Sequence, residues 1–595
     1  MSAPNSVPAP RRTRVITALG LVAFGALLYF GPLDQASPSE RLFTGALLLC
    51  AIALLAFATR RFAFAVIAPT IVMGGLQIAS VLKFHYLTTP LLAPDLYYFL
   101  NRDLLEVATR YPSIMIALVG GAILIPGLMF VAWKLDRPRL FAGMARVPRR
   151  ALQWLGAAVC CALLLAIDSP AGPFGSVFEK GMWQAMNDRS YLTNFFTSFY
   201  QTQIQIPPPQ ADAASVTLPW TQPDSDNPPP CPSPRACGRN KNVTVPQTHP
   251  DIVAVLEEST FDPSQLAICN LALCKKKMFQ ADGRTRAHGP LVVHVWGGGT
   301  WTSEFALMSG MAHTSFGDAG LYAPYNLAPR ISHSLPKVLH AAGYRVIAVY
   351  PMSGNFINAR NAYRFYGYDA FYDGQDYGLS WESSDNDVMQ VFDQVYDKEK
   401  KAIGNQPLFV MILTLRQHGP HMTPLKELPA PYNKPLFPGL FKPQDLDEWL
   451  NLNLGNYLYR LAGSDAAVAH LEKKLLDGDR PALLFHFGDH QPSFDGAIRQ
   501  IPKAPVTGAQ DLNFVTYYML KTNYQPARTY AYPTLDISLA GSLILDVAGV
   551  KKDPFYQANA LLRERCDGAY TDCPNKPLVD SYHDYIFRGI GALHE

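Results

Sequence analysis

The first 170 residues are dominated by long apolar stretches that alternate with short polar segments. Five of these stretches approach or reach the roughly 20 helical residues that span the hydrocarbon core of a membrane. They are Val15–Leu33, Leu42–Ala58, Phe62–Leu82, Ile114–Trp133 and Ala151–Ile167. The first stretch is too long for a cleaved signal peptide and is not followed by a small-residue cleavage site. The pattern therefore predicts a five-helix transmembrane module over residues 1–170.

The basic residues of the short loops predict how this module is oriented, because Lys and Arg collect on the cytoplasmic side. Basic clusters precede the first stretch and follow the second and the fourth, so they fall on one side. The other side carries only Arg41, Lys83, Arg102 and Arg110. We expect a multi-pass membrane protein with a cytoplasmic N-terminus. After an odd number of crossings, everything beyond Asp168 is expected to lie outside the cytoplasm.

Three segments outside the predicted spans differ from them in composition. Thr88–Tyr111 is too polar to span and is expected to rest on the outer interface. Phe178–Gln203 is rich in aromatic residues and predicts an amphipathic helix along the membrane surface. Ile206–Pro250 is rich in Pro, Ser, Asn and Thr and cannot bury a core. Residues 171–250 are therefore predicted to be an interfacial helix followed by a Pro-rich linker.

From Asp251 onward, short apolar runs alternate with longer amphipathic stretches. The runs are DIVAVLEES, PLVVHVWGG, YRVIAVYPM, PLFVMILTL, PALLFHFGD and LNFVTYYML. Several are apolar on both faces, as are strands of a sheet covered by helices on both sides. Residues 251–595 are therefore predicted to form an α/β domain around a central, mostly parallel sheet.

The composition fits a membrane module joined to a globular domain. The chain has 595 residues, which is too many for one core, and only 17% are charged, against roughly 25% in soluble domains. The formal net charge of +3 gives no reason to expect a nucleic-acid partner, which would require a basic stripe. The content of 49% hydrophobic residues excludes a disordered chain.

The nine cysteines fall into two groups. Cys50, Cys160 and Cys161 lie in predicted spans, where they serve as small apolar residues. The other six form the close pairs Cys231/Cys237, Cys269/Cys274 and Cys566/Cys573. Close pairing in an exported region predicts three disulfides. A zinc site is the competing interpretation, but no C-x2-C pair or adjacent histidine supports it.

Unusual polar residues follow four of the predicted strands. They are Glu258, Thr300, His418, Asp489 and His490. In open α/β sheets the chemistry gathers at the carboxyl ends of the strands, so we expect these side chains to converge on one edge. Carboxylate and imidazole donors suit zinc or manganese, which makes Glu258, Asp489 and His490 candidate metal ligands.

Thr300 is the candidate nucleophile. It lies in GGGTWTSEF, between a predicted strand and the start of a predicted helix. Glycines allow the backbone to approach a phosphate, and the amides at a helix start favour an anion. A threonine hydroxyl needs a base or a metal to lower its pKa, and coordination would supply this. Thr302 and Ser303 remain alternative reactive hydroxyls, and a Gly-rich turn with a capping Thr is the purely structural alternative.

Two further residues are candidates for substrate binding. His418, in LTLRQHGPH, is suited to hydrogen-bond a phosphoryl oxygen or to protonate a leaving group. Arg360, in GNFINARNAYRFYGYD, is suited to clamp an anionic head group through its guanidinium. The structural alternatives are a histidine at a strand end and a solvated surface arginine.

The motifs LEES, GGGTWTSEF, GNF…YGYD, LTLRQHGP and FGDHQP follow the five apolar stretches in this order. Together they resemble the lipoteichoic-acid synthase and periplasmic-glucan phosphoglycerol transferase group of the alkaline phosphatase/sulfatase superfamily. The resemblance implies an alkaline-phosphatase-like (sulfatase-like) domain and a head-group contact from His418. It also implies a nucleophile at Thr300 and one divalent metal, manganese first and zinc or magnesium as alternatives. The implied metal ligands are Glu258, Thr300, Asp489 and His490.

The resemblance further implies transfer of a phosphoglycerol head group from an anionic phospholipid through a phosphothreonine intermediate. The implied acceptor is a periplasmic glycan or a lipopolysaccharide-type molecule, and the implied location is the bacterial inner membrane, with the C-terminal domain in the periplasm. The motifs depart from the family in two places. Asn358 is followed by Ala359, so the expected arginine is displaced to Arg360, and the family's S-N-H reads R-Q-H before Gly419.

Other functions remain as alternatives. A phosphoethanolamine transferase of the same superfamily would carry a TATSxPC-like nucleophile segment, which is missing here. A periplasmic phosphodiesterase would pass the group to water. A transporter or scaffold with a degenerate phosphatase-like domain is the non-enzymatic alternative, but all four candidate ligands are present. A sulfatase is not expected, because Ser233 replaces the proline that the C-x-P-x-R maturation motif requires.

Overall fold

A computed structural model describes residues 11–87, 90–98, 109, 112–178, 190–200, 204–209, 220, 237–239 and 248–594. The chain divides into two units, Met1–Gln203 and Ile204–Glu595. The predicted domain boundaries at residues 170 and 250 stay predictions, and each unit is described by itself.

The described part of the N-terminal unit is helical. Its α-helices are α1 (Arg11–Phe30), α2 (Pro38–Thr59), α3 (Phe62–Leu87), α4 (Ala93–Tyr98), α5 (Pro112–Leu135), α6 (Arg146–Ile167) and α7 (Tyr191–Thr197). Five helices in the described part of the chain are long and apolar enough to cross a membrane. These are α1, α2, α3, α5 and α6, which confirms the five predicted spans. The orientation of these helices stays a prediction.

The residues at the two ends of α2 show how the sequence sets where a helix begins and ends. Pro38 fits the first helical position because its missing N–H needs no partner there. Ser37 Oγ accepts the N–H of Glu40, and Glu40 Oε2 accepts the N–H of Ser37 at 2.7 Å. This capping box starts the helix. Arg60, in the left-handed conformation at φ 59°, ends it.

The two predicted interfacial segments are described only in part. Within Thr88–Tyr111 the structure has α4, and within Phe178–Gln203 it has α7. The remaining residues of both segments, and most of the Pro-rich linker, lie outside the described residues. Their expected positions on the membrane surface stay predictions.

The second unit is built around an eight-stranded sheet. The described strands of this unit, eight in the main sheet and two in a small second sheet, are β1 (Cys237–Arg239), β2 (Asp251–Glu257), β3 (Thr285–Val292), β4 (Arg345–Tyr350), β5 (Ala370–Asp373), β6 (Leu408–Leu413), β7 (Ala482–Gly488), β8 (Val515–Thr522), β9 (Arg528–Tyr530) and β10 (Leu535–Asp536). The main sheet has the order β10-β3-β8-β7-β2-β6-β4-β5, and β1 pairs with β9. Only β8 runs antiparallel to its neighbours in the main sheet. This confirms the predicted mostly parallel sheet.

The second unit also contains helices, and several of them pack on this sheet. They are α8 (Thr300–Ser309), α9 (Ala323–Asn326), α10 (Leu335–Ala341), α11 (Ala359–Tyr366), α12 (Gly374–Tyr377), α13 (Asp385–Ile403), α14 (Gln444–Leu476), α15 (Ile537–Ala548), α16 (Pro554–Arg565) and α17 (Lys576–His583). On β2, Ile252, Ala254 and Leu256 share a buried cluster with α8 and α15. Val253 and Val255 pack on the opposite face with α13 and α14. Burial of both faces explains why the strands read as unbroken apolar runs.

The second predicted strand is displaced in the structure. Its run was expected to continue to the glycines, but β3 begins at Thr285 and ends at Val292. The following residues leave the sheet although they are apolar, because they are buried against other parts of the unit. Trp296 is 2% exposed there, and His294 Nε2 pairs with Asp536 Oδ2 at 3.0 Å.

Two of the three predicted disulfides are present. They join Cys269 to Cys274 and Cys566 to Cys573. Cys231 lies outside the described residues, so its pairing with Cys237 stays a prediction. The three cysteines of the apolar helices are free, as predicted.

Candidate metal centre

The carboxyl ends of β2 and β7 bring two acidic residues together. These strands are parallel neighbours, and their last residues, Glu257 and Gly488, lie opposite each other. The next residue of each chain segment is therefore at the same sheet edge. These residues are Glu258 and Asp489, both buried. The convergence predicted from the strand ends follows directly from this register.

A glycine turn delivers Thr300 to the same place. Gly299 has φ +87°, a conformation that side chains disfavour, and an added Cβ would lie 2.8 Å from Val295 Cγ2. Glycine is therefore required at this position by both conformation and space. Thr300 follows as the first residue of α8, where the helix dipole favours negative charge.

The four predicted ligands form one cluster. Ligand atoms of Glu258, Asp489 and His490 lie within 4.8 Å of one another. His490 Nε2 is 3.4 Å from Glu258 Oε1 and 3.2 Å from Asp489 Oδ2. The Thr300 hydroxyl donates to Glu258 Oε2 at 2.9 Å, and its Oγ1 lies 3.5 Å from His490 Nε2. Two strand ends and one helix start thus contribute to a single group, called here the Thr300 cluster.

Neighbouring groups fix the orientation of this cluster. Asp489 Oδ1 accepts the N–H groups of Ser259 at 2.7 Å and of His490 at 2.8 Å. The Ser259 hydroxyl donates to Glu258 Oε1 at 2.8 Å. His490 Nδ1 lies 3.0 Å from the carbonyl of Gln491, so a proton held there leaves the Nε2 lone pair facing the carboxylates. Ser259 has φ +49°, a strained conformation of the kind that collects at functional sites.

The electrostatics of this group fit a divalent cation. Burial, with the nearby Glu258 carboxylate, raises the pKa of Asp489 to about 7. Asp489 Oδ2 is buried and accepts no hydrogen bond from the described residues. Two buried carboxylates, an imidazole nitrogen and a hydroxyl are donors that zinc, manganese and magnesium accept to different degrees. A cation would supply the positive charge that this arrangement needs.

The alternative hydroxyls of the TWTS segment have backbone partners. Thr302 Oγ1 donates to the carbonyl of Gly299 at 2.8 Å. Ser303 Oγ donates to the carbonyl of Asp489 at 2.7 Å. Thr300 differs because its hydroxyl contacts the side chains of Glu258 and His490. The geometry therefore favours Thr300 among the three candidates.

His418 lies in the loop after β6, at the same edge of the sheet. The end of β6 is positioned by its pairing with β2, where Leu413 lies opposite Leu256. The imidazole packs against Trp381 with ring centroids 4.8 Å apart, and its Nδ1 is 2.8 Å from the carbonyl of Gly419. The Trp381 ring therefore holds one face of the His418 imidazole. The contact of His418 with a head group stays a prediction.

Arg360 on α11 has a structural partner. Its guanidinium forms an ion pair with Asp373, a carboxylate whose side chain is only 4% exposed. The same group donates to the carbonyl of Phe371 at 3.3 Å and lies 5.1 Å from the centre of the Phe371 ring. Arg360 therefore compensates a buried charge. Its proposed role as a head-group clamp stays a prediction and competes with this ion pair.

The sequence reasoning missed Glu304, which is buried on α8 one turn after Thr300. Burial, with the nearby carboxylates of Asp489 and Glu258, raises the pKa of this carboxyl to about 8. Glu304 is therefore protonated in the fold at neutral pH. The signal that could have revealed it is a glutamate directly before the apolar stretch FALMSGM. A carboxylate buried without a partner is costly, so an acidic residue at the start of a buried helix indicates a special environment.

Glu304→Gln should change how stability depends on pH. The folded pKa of about 8 exceeds the ordinary value of 4.5, so the native state holds a proton that the unfolded chain releases in this interval. The stability of the wild type therefore falls as pH rises from about 4.5 to about 8. Gln resembles the protonated acid and avoids this loss. Thermal unfolding should show the variant gaining a few degrees over wild type between about pH 5 and about pH 8.5.

The control for this measurement is Glu427→Gln, which changes an exposed glutamate of the same unit. We expect its unfolding temperature to follow that of the wild type at every pH. A Glu304→Gln protein that tracks the wild type over the whole range would contradict the buried, protonated state of Glu304.

Comparison with known proteins identifies the domain that carries this cluster. Residues 250–534 match the sulfatase family. This part of the chain is a sulfatase-family domain. The match confirms the superfamily that the motifs resemble. The sulfatase-family domain contains the whole Thr300 cluster, together with His418 and Arg360.

Two curated relatives share part of the chain. A protein of Haemophilus influenzae without an assigned function is 30% identical over 354 residues, which cover 58% of this chain and 62% of that protein. A Rhizobium meliloti protein, whose name refers to cyclic beta-1,2-glucan modification, is 24% identical over 267 residues, covering 42% and 37%. The matches therefore span less than two thirds of either relative.

Among solved structures, the lipooligosaccharide phosphoethanolamine transferase EptA of Neisseria meningitidis aligns over 89% of this chain and 95% of its own. The two sequences are 13% identical, and the TM-score is 0.45.

Proposed function

We propose that this protein is a membrane-anchored phosphotransferase of the alkaline phosphatase/sulfatase superfamily. It transfers a phosphoglycerol head group from an anionic phospholipid to a glycan or lipopolysaccharide-type acceptor in the periplasm. The observation that carries the proposal is the position of the Thr300 hydroxyl, 2.9 Å from Glu258 Oε2 in a cluster of buried metal-ligand types. A nucleophile and a cation site in one group are what transfer through an enzyme-bound ester requires.

One divalent cation is proposed, with manganese first and zinc or magnesium as alternatives. Glu258, Asp489 and His490 would hold it together with the Thr300 hydroxyl. When bound, the cation lowers the pKa of the nucleophile and offsets the negative charge of the phosphoryl group. The unpartnered Asp489 Oδ2 and the Nε2 of His490 are the atoms most directly suited to this role.

In the proposed first half-reaction, Thr300 Oγ1 attacks phosphorus. The bond from phosphorus to the diacylglycerol oxygen breaks, and its electron pair leaves with that oxygen. Thr300 already donates its hydroxyl hydrogen to Glu258 Oε2, so this oxygen is positioned to receive the proton. His418 is the proposed donor of a proton to the departing diacylglycerol. The chain is left with a phosphoglycerol ester on threonine.

In the second half-reaction an acceptor hydroxyl attacks the same phosphorus and passes its proton to His418. The bond from phosphorus to Thr300 Oγ1 breaks, and this oxygen takes back the proton held by Glu258, so Thr300 is regenerated. The name of the Rhizobium meliloti relative, which refers to glucan modification, supports a glycan as the acceptor. The five apolar helices support a lipid as the donor, because anchoring raises the effective concentration of membrane substrates.

The donor is tested by reconstituting the full-length protein into vesicles that contain either phosphatidylglycerol or phosphatidylethanolamine. After incubation, mass spectrometry of the peptide that carries Thr300 identifies the added group. We expect a phosphoglycerol adduct with phosphatidylglycerol and no adduct with phosphatidylethanolamine. A phosphoethanolamine adduct would contradict the proposed donor. Release of free glycerol phosphate at full rate without a glycan would instead indicate a phosphodiesterase.

A further inference from the structure

An exposed apolar loop lies in the connection between β6 and α14. Residues Lys434–Lys442 read KPLFPGLFK, two Leu-Phe pairs around Pro-Gly with a lysine at each end. Leu440 at the apex is 58% exposed, and both lysines are exposed. Met422, earlier in the same connection, is 50% exposed. The connection therefore presents large apolar side chains to its surroundings beside positive charges.

The shape of the Lys434–Lys442 loop is fixed by two residues of α14. Asp447 accepts the N–H of Gly439 at 3.0 Å and the N–H of Phe441 at 2.9 Å, and these hydrogen bonds lower its pKa. Asn451 accepts the N–H of Phe437 at 2.7 Å and donates to its carbonyl at 3.0 Å. These hydrogen bonds hold the loop backbone in place, so the exposure of Leu440 results from a fixed loop conformation.

The connection also contacts the segment that follows the metal ligands. His421 packs against Phe494 with ring centroids 5.3 Å apart and against Tyr457 with centroids 5.6 Å apart. Trp449 Nε1 on α14 donates to the carbonyl of Phe494 at 3.1 Å. Phe494 comes four residues after His490. Phe437 of the loop is buried in one cluster with Phe494 and Tyr457, so the loop belongs to the packed region that includes the segment after His490.

We propose that the Lys434–Lys442 loop inserts into the interface of a phospholipid bilayer. Leu440 enters the boundary between head groups and acyl chains, while Lys434 and Lys442 contact lipid phosphates. Apolar side chains flanked by lysines suit this interface, because the stems are buried while the ammonium groups stay among the head groups. The same chain carries five helices of membrane-spanning length, so a bilayer is available to the unit that bears this loop.

The lysines are expected to recognise phosphate groups rather than the net charge of the bilayer. Three acidic residues, Asp445, Asp447 and Glu448, follow closely on α14 and offset the lysine charges over longer distances. The inference goes beyond the proposed function. It concerns the surface on which the sulfatase-family domain acts, and it holds whichever head group is transferred.

Photo-crosslinking of the full-length protein tests the proposal. The probe benzoylphenylalanine replaces Leu440, and the protein is reconstituted into vesicles of phosphatidylcholine with phosphatidylglycerol. The matched control carries the probe at Phe365, which is 39% exposed on α11. After irradiation, mass spectrometry should find phospholipid on the peptide of residue 440 in several-fold excess over the peptide of residue 365. Equal yields, or adducts to protein instead of lipid, would overturn the proposal.

A second variant tests the lysines. Lys434→Ser combined with Lys442→Ser, in the protein with the probe at Leu440, should lower the lipid adduct several-fold. The unfolding temperature should stay unchanged because both side chains are exposed. An unchanged adduct yield would overturn the assignment of phosphate contacts to these lysines. Neither result depends on catalysis, so failure here is separate from failure of the proposed transfer.

Discussion

Thr300→Ala should abolish the covalent intermediate and lower the transfer rate by about 10³-fold or more. The variant loses the hydroxyl that donates to Glu258 Oε2 and lies 3.5 Å from His490 Nε2. Ala retains good helix propensity, so α8 should still form. The measurements are the rate of diacylglycerol release from phosphatidylglycerol vesicles and the mass of the peptide that carries position 300.

Two variants serve as controls for the nucleophile. Thr302→Val removes a hydroxyl whose partner is the carbonyl of Gly299. It should cost about 1 kcal/mol of stability and retain the adduct. Thr300→Ser keeps a hydroxyl at the nucleophile position and should form the adduct more slowly than wild type. Full activity in Thr300→Ala, or an adduct found on Ser303, would show that the nucleophile is misassigned.

Asp489→Asn should remove the bound metal and with it the transfer activity. The amide keeps an oxygen that can accept the N–H groups of Ser259 and His490, so the local backbone is preserved. The atom that changes is Oδ2, which is buried and has no hydrogen-bond partner in the described part of the protein. Losing this charged donor should weaken metal affinity by about 100-fold or more. Elemental analysis of protein dialysed against limiting metal measures the loss.

The same substitution should stabilise the metal-free protein. Burial and the Glu258 carboxylate raise the pKa of Asp489 to about 7, so near neutral pH the wild type holds a carboxylate that the site disfavours. Thermal unfolding in the presence of a chelator should therefore show Asp489→Asn above the wild type. Asp479→Asn, at an exposed aspartate of the same unit, is the control and should change neither metal content nor unfolding. An Asp489→Asn protein that retains a full equivalent of metal would contradict the proposed role of Asp489 as a metal ligand.

The convergence of Glu258 and Asp489 was predictable because it depends only on strand ends. Each residue directly follows an apolar run, and parallel neighbours place such positions side by side. Thr300 was predictable from its glycines and the following helix. In contrast, β5 and β10 have four and two residues, too few for an apolar period to be recognised.

The parts that escaped prediction depend on contacts between distant segments. The ion pair of Arg360 involves Asp373, at the end of the unpredicted strand β5. The protonated state of Glu304 follows from its burial, which a pattern of residue types does not reveal. The early end of β3 reflects burial of Trp296 outside the sheet. In each case tertiary packing, rather than local preference, determined the outcome.

The antiparallel strand β8 lies between β3 and β7, and β2 lies beyond them. At a strand spacing of about 4.8 Å, the end of β3 is therefore about 14 Å across the sheet from the end of β2. Seven residues lie between Val292 and Thr300, and this segment carries the hydroxyl across the sheet to Glu258. Thr300, the proposed nucleophile, therefore follows a connecting segment of set length, whereas Glu258 and Asp489 directly follow strands of the sheet. Loss or gain of one residue in this segment should move the Thr300 hydroxyl away from Glu258 and leave the sheet intact.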